Sequence, residues 1–184
     1  MAALTPAPAY ARFVARALPV TWWRALERPA VVLLLIGTVL PIAATGRVTA
    51  GLVVTAMISW AFAVAVQFAA ALVIAASVPT RRVSVPAAVH FLFAGHLPWS
   101  LWLLCFSMWA ASDVTFIPAD VAVAISVIVP VAWTMVIVAA FCRTVLGTTR
   151  RGAGVRAVAH QAMIWFIALT YVAWAAGGWF RLVG

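Results

Sequence analysis

The chain has 184 residues, is 67% hydrophobic and only 8% charged, and carries a formal charge of +9 with a mean hydropathy of +1.16. Ordinary soluble domains are about 45–50% apolar and about 25% charged, so a water-soluble fold cannot hide this surface and the bilayer must serve as part of the solvent. Nucleic acid is excluded as the partner of the positive charge, because the arginines sit in short stretches beside apolar runs, where anionic lipid headgroups are the expected partner.

Taken in chain order, residues 1–28 form a proline-punctuated segment in which Tyr10, Phe13, Val14, Leu18, Trp22, Trp23 and Leu26 alternate with Arg12, Arg16 and Arg24. This pattern suits a cytoplasmic helix lying in the headgroup plane or an ordinary membrane flank, with Pro19 interrupting it. Residues 29–184 then read as one all-α, polytopic bundle of five spans, with no room for a soluble domain between them. The first span, about 30–45, is short and bracketed by Arg28 and Arg47. Its apolar run starts too late for a signal peptide of roughly 15–30 residues, so it reads as a retained anchor.

The second span, about 49–78, is longer than a hydrocarbon core of about 30 Å requires and is expected to tilt. It carries small residues at every fourth position, Ala61, Ala65 and Ala69, continued by Ala71 and Ala75. Such rows allow close helix packing, within the chain or in a homo-oligomer. The third span, about 85–111, carries His90, Gly95 and His96 and should kink at Pro98. The fourth, about 121–141, has Pro130 at its middle, and the fifth, about 155–179, closes on Gly177, Gly178 and Trp179.

All twelve basic residues are arginine, and alternate flanks of these spans hold ten and two of them. Cytoplasmic loops collect basic residues, so the N-terminus is expected inside and the C-terminus outside. An alanine- and arginine-rich chain without lysine points to a bacterial inner membrane. Arg81, Arg82, Arg143, Arg150, Arg151 and Arg156 are then cytoplasmic loop residues, whose first role is to fix orientation and whose second is to offer a docking surface for lipid or a protein partner. Cys105 and Cys142 form no CxxC motif and read as packing residues too far apart to bridge.

Chemistry-bearing residues are few. His90 and His160 fall at matching depth on different helices, an arrangement open to haem ligation, although a hydrogen bond to backbone or headgroups is the plainer role for each. His96 lies deeper and can bond either the carbonyl freed by Pro98 or Gln67 across the interface. Gln67 and Gln161 are the other intramembrane polar groups and read as interhelical glue contributing on the order of 0.6–2 kcal/mol per pair. Asp113 and Asp120 lie in the outer loop and Glu27 on the inner flank, so no acid stands inside a span. That argues against ion-coupled transport, which keeps a carboxylate at membrane depth. No nucleophile–base set, metal motif or phosphate loop is present, so neither an enzyme nor a cofactor is expected.

Several stretches resemble the bacterial members of the Yip family, five-span membrane proteins related to Rab-GTPase interactors. Arg28-Pro29 precedes the first span. Arg81, Arg82, Val83 and Ser84 lead into Gly95, His96, Leu97 and Pro98. The run Trp133 to Arg143 is followed by Leu146-Gly147 and Arg150, Arg151 and Ala153. The resemblance covers about residues 24–180 and implies a non-enzymatic scaffold or partner-binding role in membrane organisation, with no catalytic residue to carry over. Two other functions fit the residues: a small-solute transporter or channel with His96, Gln67 and Pro98 at its pathway, and a bis-histidine haem protein using His90 and His160.

Overall fold

A computed structural model describes residues 20–78, 84–112 and 117–183. Among them are seven α-helices and no strand: α1 Trp22–Thr45, α2 Ala50–Ala76, α3 Val85–Phe93, α4 Leu97–Ala110, α5 Ala119–Ser126, α6 Ile128–Thr144 and α7 Arg150–Val183, with a 3₁₀ turn, Ala94–His96, joining α3 to α4. They make five segments long and apolar enough to cross a membrane: Trp22–Thr45, Ala50–Ala76, Val85–Trp109, Val121–Thr144 and Arg150–Tyr171. The protein is therefore an all-α, multi-pass membrane bundle. Residues 1–19 of the N-terminal segment, the pair Arg81 and Arg82, and Asp113 lie outside the described residues.

Ile58, Met108, Ile125, Phe166 and Leu169 are all exposed on the outside of the bundle, as befits helices whose outer solvent is hydrocarbon. The buried core is small-residue and aromatic: Ala71, Ala75, Ala87, Ala88, Phe91, Val138, Phe141, Ala153 and Ala157. It lies where α2, α3, α6 and α7 meet, and α1 packs across α2, α3 and α4.

Pro98 and Pro130 each interrupt their span, since proline removes an N–H and clashes with the carbonyl four residues earlier, whereas α1 runs through Pro29 and Pro41 unbroken. Before Pro98 the third span tightens into the 3₁₀ turn, and Pro98 then occupies the first turn of α4. Before Pro130 the fourth span breaks at Val127, dividing α5 from α6. Turns follow their own chemistry: Gly46 closes α1 at φ 66°, donating its N–H to the Ile42 carbonyl at 2.9 Å, a left-handed conformation that favours glycine.

The structure corrects three expectations and refines a fourth. The first span is not the short segment 30–45: its helix starts at Trp22, where the Thr21 hydroxyl accepts from Arg24 N–H at 3.5 Å. The boundary placed at residue 28 therefore falls inside α1. Proline near a helix start costs little, but Pro29 stands in the second turn, so the extension over Arg24 and Arg28 rests on packing, with Ala25 and Pro29 buried. The helix of the fifth span likewise exceeds 155–179, running Arg150–Val183; Thr149 caps it, its hydroxyl accepting from Gly152 N–H at 3.2 Å.

The third correction follows from the second. Arg143 stands in the last turn of α6 and Arg150, Arg151 and Arg156 lie on α7, so these are helix-end rather than loop residues. Arg156 is not a free docking group. Its Nε donates to Ser77 Oγ at 2.9 Å, its Nη2 to the Ser77 carbonyl at 3.2 Å and its Nη1 to the Gly152 carbonyl at 3.2 Å. A cation thereby closes the C-terminal end of α2, where the helix dipole is negative and carbonyls lack partners. Fourth, the small-residue row divides: Ala71 and Ala75 are buried, whereas Ala65 and Ala69 are exposed on the outer surface.

Arg156→Ala should lower the melting temperature of the detergent-solubilised protein, by an amount corresponding to about 1–2 kcal/mol, since charge-assisted hydrogen bonds are lost at a partly exposed site. Arg156→Lys should recover less than half of that loss, because an ammonium cannot span Ser77 and Gly152 together.

Candidate functional site

The polar side chains of the third span sort themselves around the 3₁₀ turn. His90 is buried on α3, and its Nδ1 donates to the Arg24 carbonyl at 3.0 Å, tying α3 to the first turn of α1. Six residues on, His96 ends the 3₁₀ turn and reaches α2: its Nε2 lies 3.0 Å from Gln67 Oε1. An amide oxygen only accepts, so the imidazole Nε2 carries the proton and donates. The Gln67 amide then offers its N–H groups elsewhere, and the imidazole Nδ1 is left as an acceptor. Phe93 stacks on the His96 ring at a centroid distance of 4.9 Å and helps fix its plane. Of the two partners open to His96 on sequence grounds, the structure thus selects Gln67.

This pair forms part of the wall of a half-open cavity of about 210 Å³ between α1, α2 and α4. Val32, Leu35, Ile36 and Leu40 line it from α1, and Trp60, Ala63 and Val64 from α2. Trp99, Ser100, Trp102 and Leu103 complete it from α4. The wall is almost wholly apolar. Its aromatic side is braced: Trp99 meets Trp102 edge-on at 5.9 Å and approaches Trp165 of α7 at 6.0 Å. Trp102 stacks on Phe106 at 5.3 Å and donates its Nε1–H to Ser126 Oγ at 2.9 Å. A cavity of this kind, apolar with a few fixed hydrogen-bonding groups, is the usual form of a small-molecule site.

Two further spaces meet at His96. An open cleft of about 350 Å³ is lined by Glu27, Arg28, His90, His96 and Ser100, with Val31, Val32, Phe93 and Leu97. Behind the imidazole, a closed space of about 10 Å³ is lined by Gln67, Gly95, His96, Thr134 and His160, with Leu92, Phe93 and Val138. Thr134 Oγ1 and His160 Nδ1 are buried there without a protein partner, as is Gln161 Nε2 on α7. The expected glue role thus has a partner for Gln67 and His96, while the Gln161 amide nitrogen has none.

The two histidines proposed as haem ligands line separate spaces, His90 the open cleft and His160 the closed one behind His96. Among the described residues no group of three or more His, Cys, Asp or Glu is placed to hold a metal. Cys105 is exposed and Cys142 buried, and both are free thiols. Sequence reasoning missed Glu27, Trp60 and Thr134. Glu27 reads as a flank residue when the span is started at its apolar run near residue 30, and Trp60 and Thr134 carry no local signal beyond lying within an apolar run.

A double-mutant cycle on His96→Leu and Gln67→Leu should show positive coupling in thermal stability on the order of 0.6–1.7 kcal/mol, the range for hydrogen bonds between membrane helices. Each single change leaves a polar group unpaired; the double change removes both and should cost less than the two single losses added together. No protein-family model matches the chain, and no curated protein or solved structure gives a significant match to it.

Proposed function

We propose that this chain is a non-enzymatic, multi-pass protein of a bacterial inner membrane, with its N-terminus inside and C-terminus outside, that works by holding a small lipid-soluble molecule between α1, α2 and α4. The observation that carries this reading is the largely apolar cavity of about 210 Å³ with the hydrogen-bonded His96–Gln67 pair in its wall. It keeps the site residues of the small-solute reading, Gln67 and His96, and changes the solute: an apolar wall of tryptophan and branched aliphatic side chains favours a guest that partitions into lipid over a hydrated one. The Gln67 amide N–H groups give such a guest a donor for a single carbonyl or ether oxygen.

A second reading, the Yip-like scaffold in membrane organisation, is favoured by the outward position of Ala65 and Ala69. Small residues on a lipid-facing helix surface suit another transmembrane helix, from a second copy or a different membrane protein. The five-span architecture supports this reading too.

Purification of the full chain in native-lipid nanodiscs, followed by organic extraction and mass spectrometry, should recover a stoichiometric lipophilic compound. Ala63→Phe, which fills the cavity from α2, should reduce that recovery at least tenfold without lowering the melting temperature of the ligand-free protein. Equal recovery from both proteins would refute the pocket as the binding site.

A further inference from the structure

The cavity and the open cleft are not independent. Val32, His96 and Ser100 line both, so the two spaces adjoin at these residues. On α1, Arg28, Val32, Ile36 and Leu40 recur every fourth residue, so successive members are neighbours on a row that winds by about 40° per step. Arg28 lines the cleft, Val32 both spaces, and Ile36 and Leu40 the cavity. On α4 and the turn before it, His96, Ser100 and Leu103 form the opposing line. Cleft and cavity, taken together as a groove, present a charged end and an apolar end.

Two properties of the groove identify its occupant. The first is charge: Glu27 and Arg28, adjacent and of opposite sign, stand together at the open end, which matches a head carrying both an ammonium and a phosphate. The second is length. From Arg28 to Leu40 is about 18 Å at about 1.5 Å per residue, close to the roughly 15 Å of one leaflet in a hydrocarbon core of about 30 Å. The stretch beside the cavity, Val32 to Leu40, is about 12 Å of this, enough for most of one acyl chain, and it faces the tryptophan and leucine wall.

We infer that the groove binds a zwitterionic phospholipid of the phosphatidylethanolamine type, its ammonium at Glu27, its phosphate at Arg28 and one acyl chain in the cavity beyond His96. The His96–Gln67 pair then stands near the ester region, where the Gln67 amide can donate to a chain carbonyl. This rests on the proposed function, whose lipid-soluble guest it names as an amphiphile entering from the arginine-rich side.

The test uses two photoreactive probes in phosphatidylglycerol nanodiscs containing the full chain: phosphatidylethanolamine with a diazirine near the end of one chain, and a diazirine-bearing hexadecane with no head. Cross-linked residues are mapped by mass spectrometry. The phospholipid probe should label Leu40, Trp102 or Leu103, and excess unlabelled phosphatidylethanolamine should suppress that labelling. Glu27→Gln and Arg28→Gln should each reduce it at least fivefold while leaving hexadecane labelling of the same residues unchanged, which also reports that the variants remain folded. Glu27→Lys should reduce it more than Glu27→Gln, because it repels the ammonium. If hexadecane labels the cavity but phospholipid labelling is indifferent to Glu27 and Arg28, the headgroup assignment is overturned and a headless guest remains. If neither probe labels the cavity of the wild-type protein, the phospholipid and the proposed function fall together.

Discussion

Hydrocarbon offers no partner to a polar group, and this constraint governs the whole chain. Every backbone N–H and C=O within a span must be satisfied by the protein itself, so the described residues are helical almost throughout. Where proline denies a bond, at Pro98 and Pro130, the chain responds locally, with a 3₁₀ turn in one case and a break at Val127 in the other. Most polar side chains follow the same rule, with Thr134 Oγ1, His160 Nδ1 and Gln161 Nε2 the buried exceptions among the described residues. His90 finds the Arg24 carbonyl, His96 finds Gln67, Trp102 finds Ser126, and Arg156 closes the end of α2.

The site is a consequence of the way the third span is broken. An unbroken helix from Val85 to Ala110 would place His90 and His96 about 240° apart. The 3₁₀ turn sets His96 at the junction of α3 and α4, where it touches three spaces at once: the apolar cavity, the charged cleft and the closed space against Thr134 and His160. One proline thereby converts an apolar span into a wall with a polar hinge. The aromatic ladder Trp99, Trp102, Phe106 and Trp109 continues from that hinge along α4, with neighbouring centroids 5.3–5.9 Å apart. This stiffens the wall against collapse into the cavity.

Much of the architecture was legible in the sequence because lipid makes the signal strong. Five apolar runs separated by arginines and prolines announce five helices, and the kink at Pro98 follows from one missing N–H. Helix starts were less legible. Thr21 and Thr149 are caps that extend α1 and α7 well past their apolar runs, and a window tuned to hydropathy ends where charge begins. That error hid Glu27, which reads as a flank residue until α1 is known to begin at Trp22. The candidate site was half legible: His96 and Gln67 stand out as rare polar residues in apolar runs and do meet, whereas the cavity wall is built from valine, leucine and tryptophan that look alike wherever they fall. The facing of Ala65 and Ala69 was not legible, since an alanine row has the same spacing whether it meets a neighbour or lipid.

The arrangement depends on guanidinium groups staying at the ends of the spans, so that the turn at Gly46 and the turn before Thr149 lie on opposite sides of the bilayer. The most direct measurement is labelling of single cysteines beside these turns, at the exposed positions 48 and 154, in a chain with Cys105 and Cys142 replaced, by a membrane-impermeant maleimide added to intact spheroplasts. The account predicts rapid labelling at position 48 and protection at position 154 until the membrane is opened. Labelling of both positions, or of position 154 alone, would contradict it.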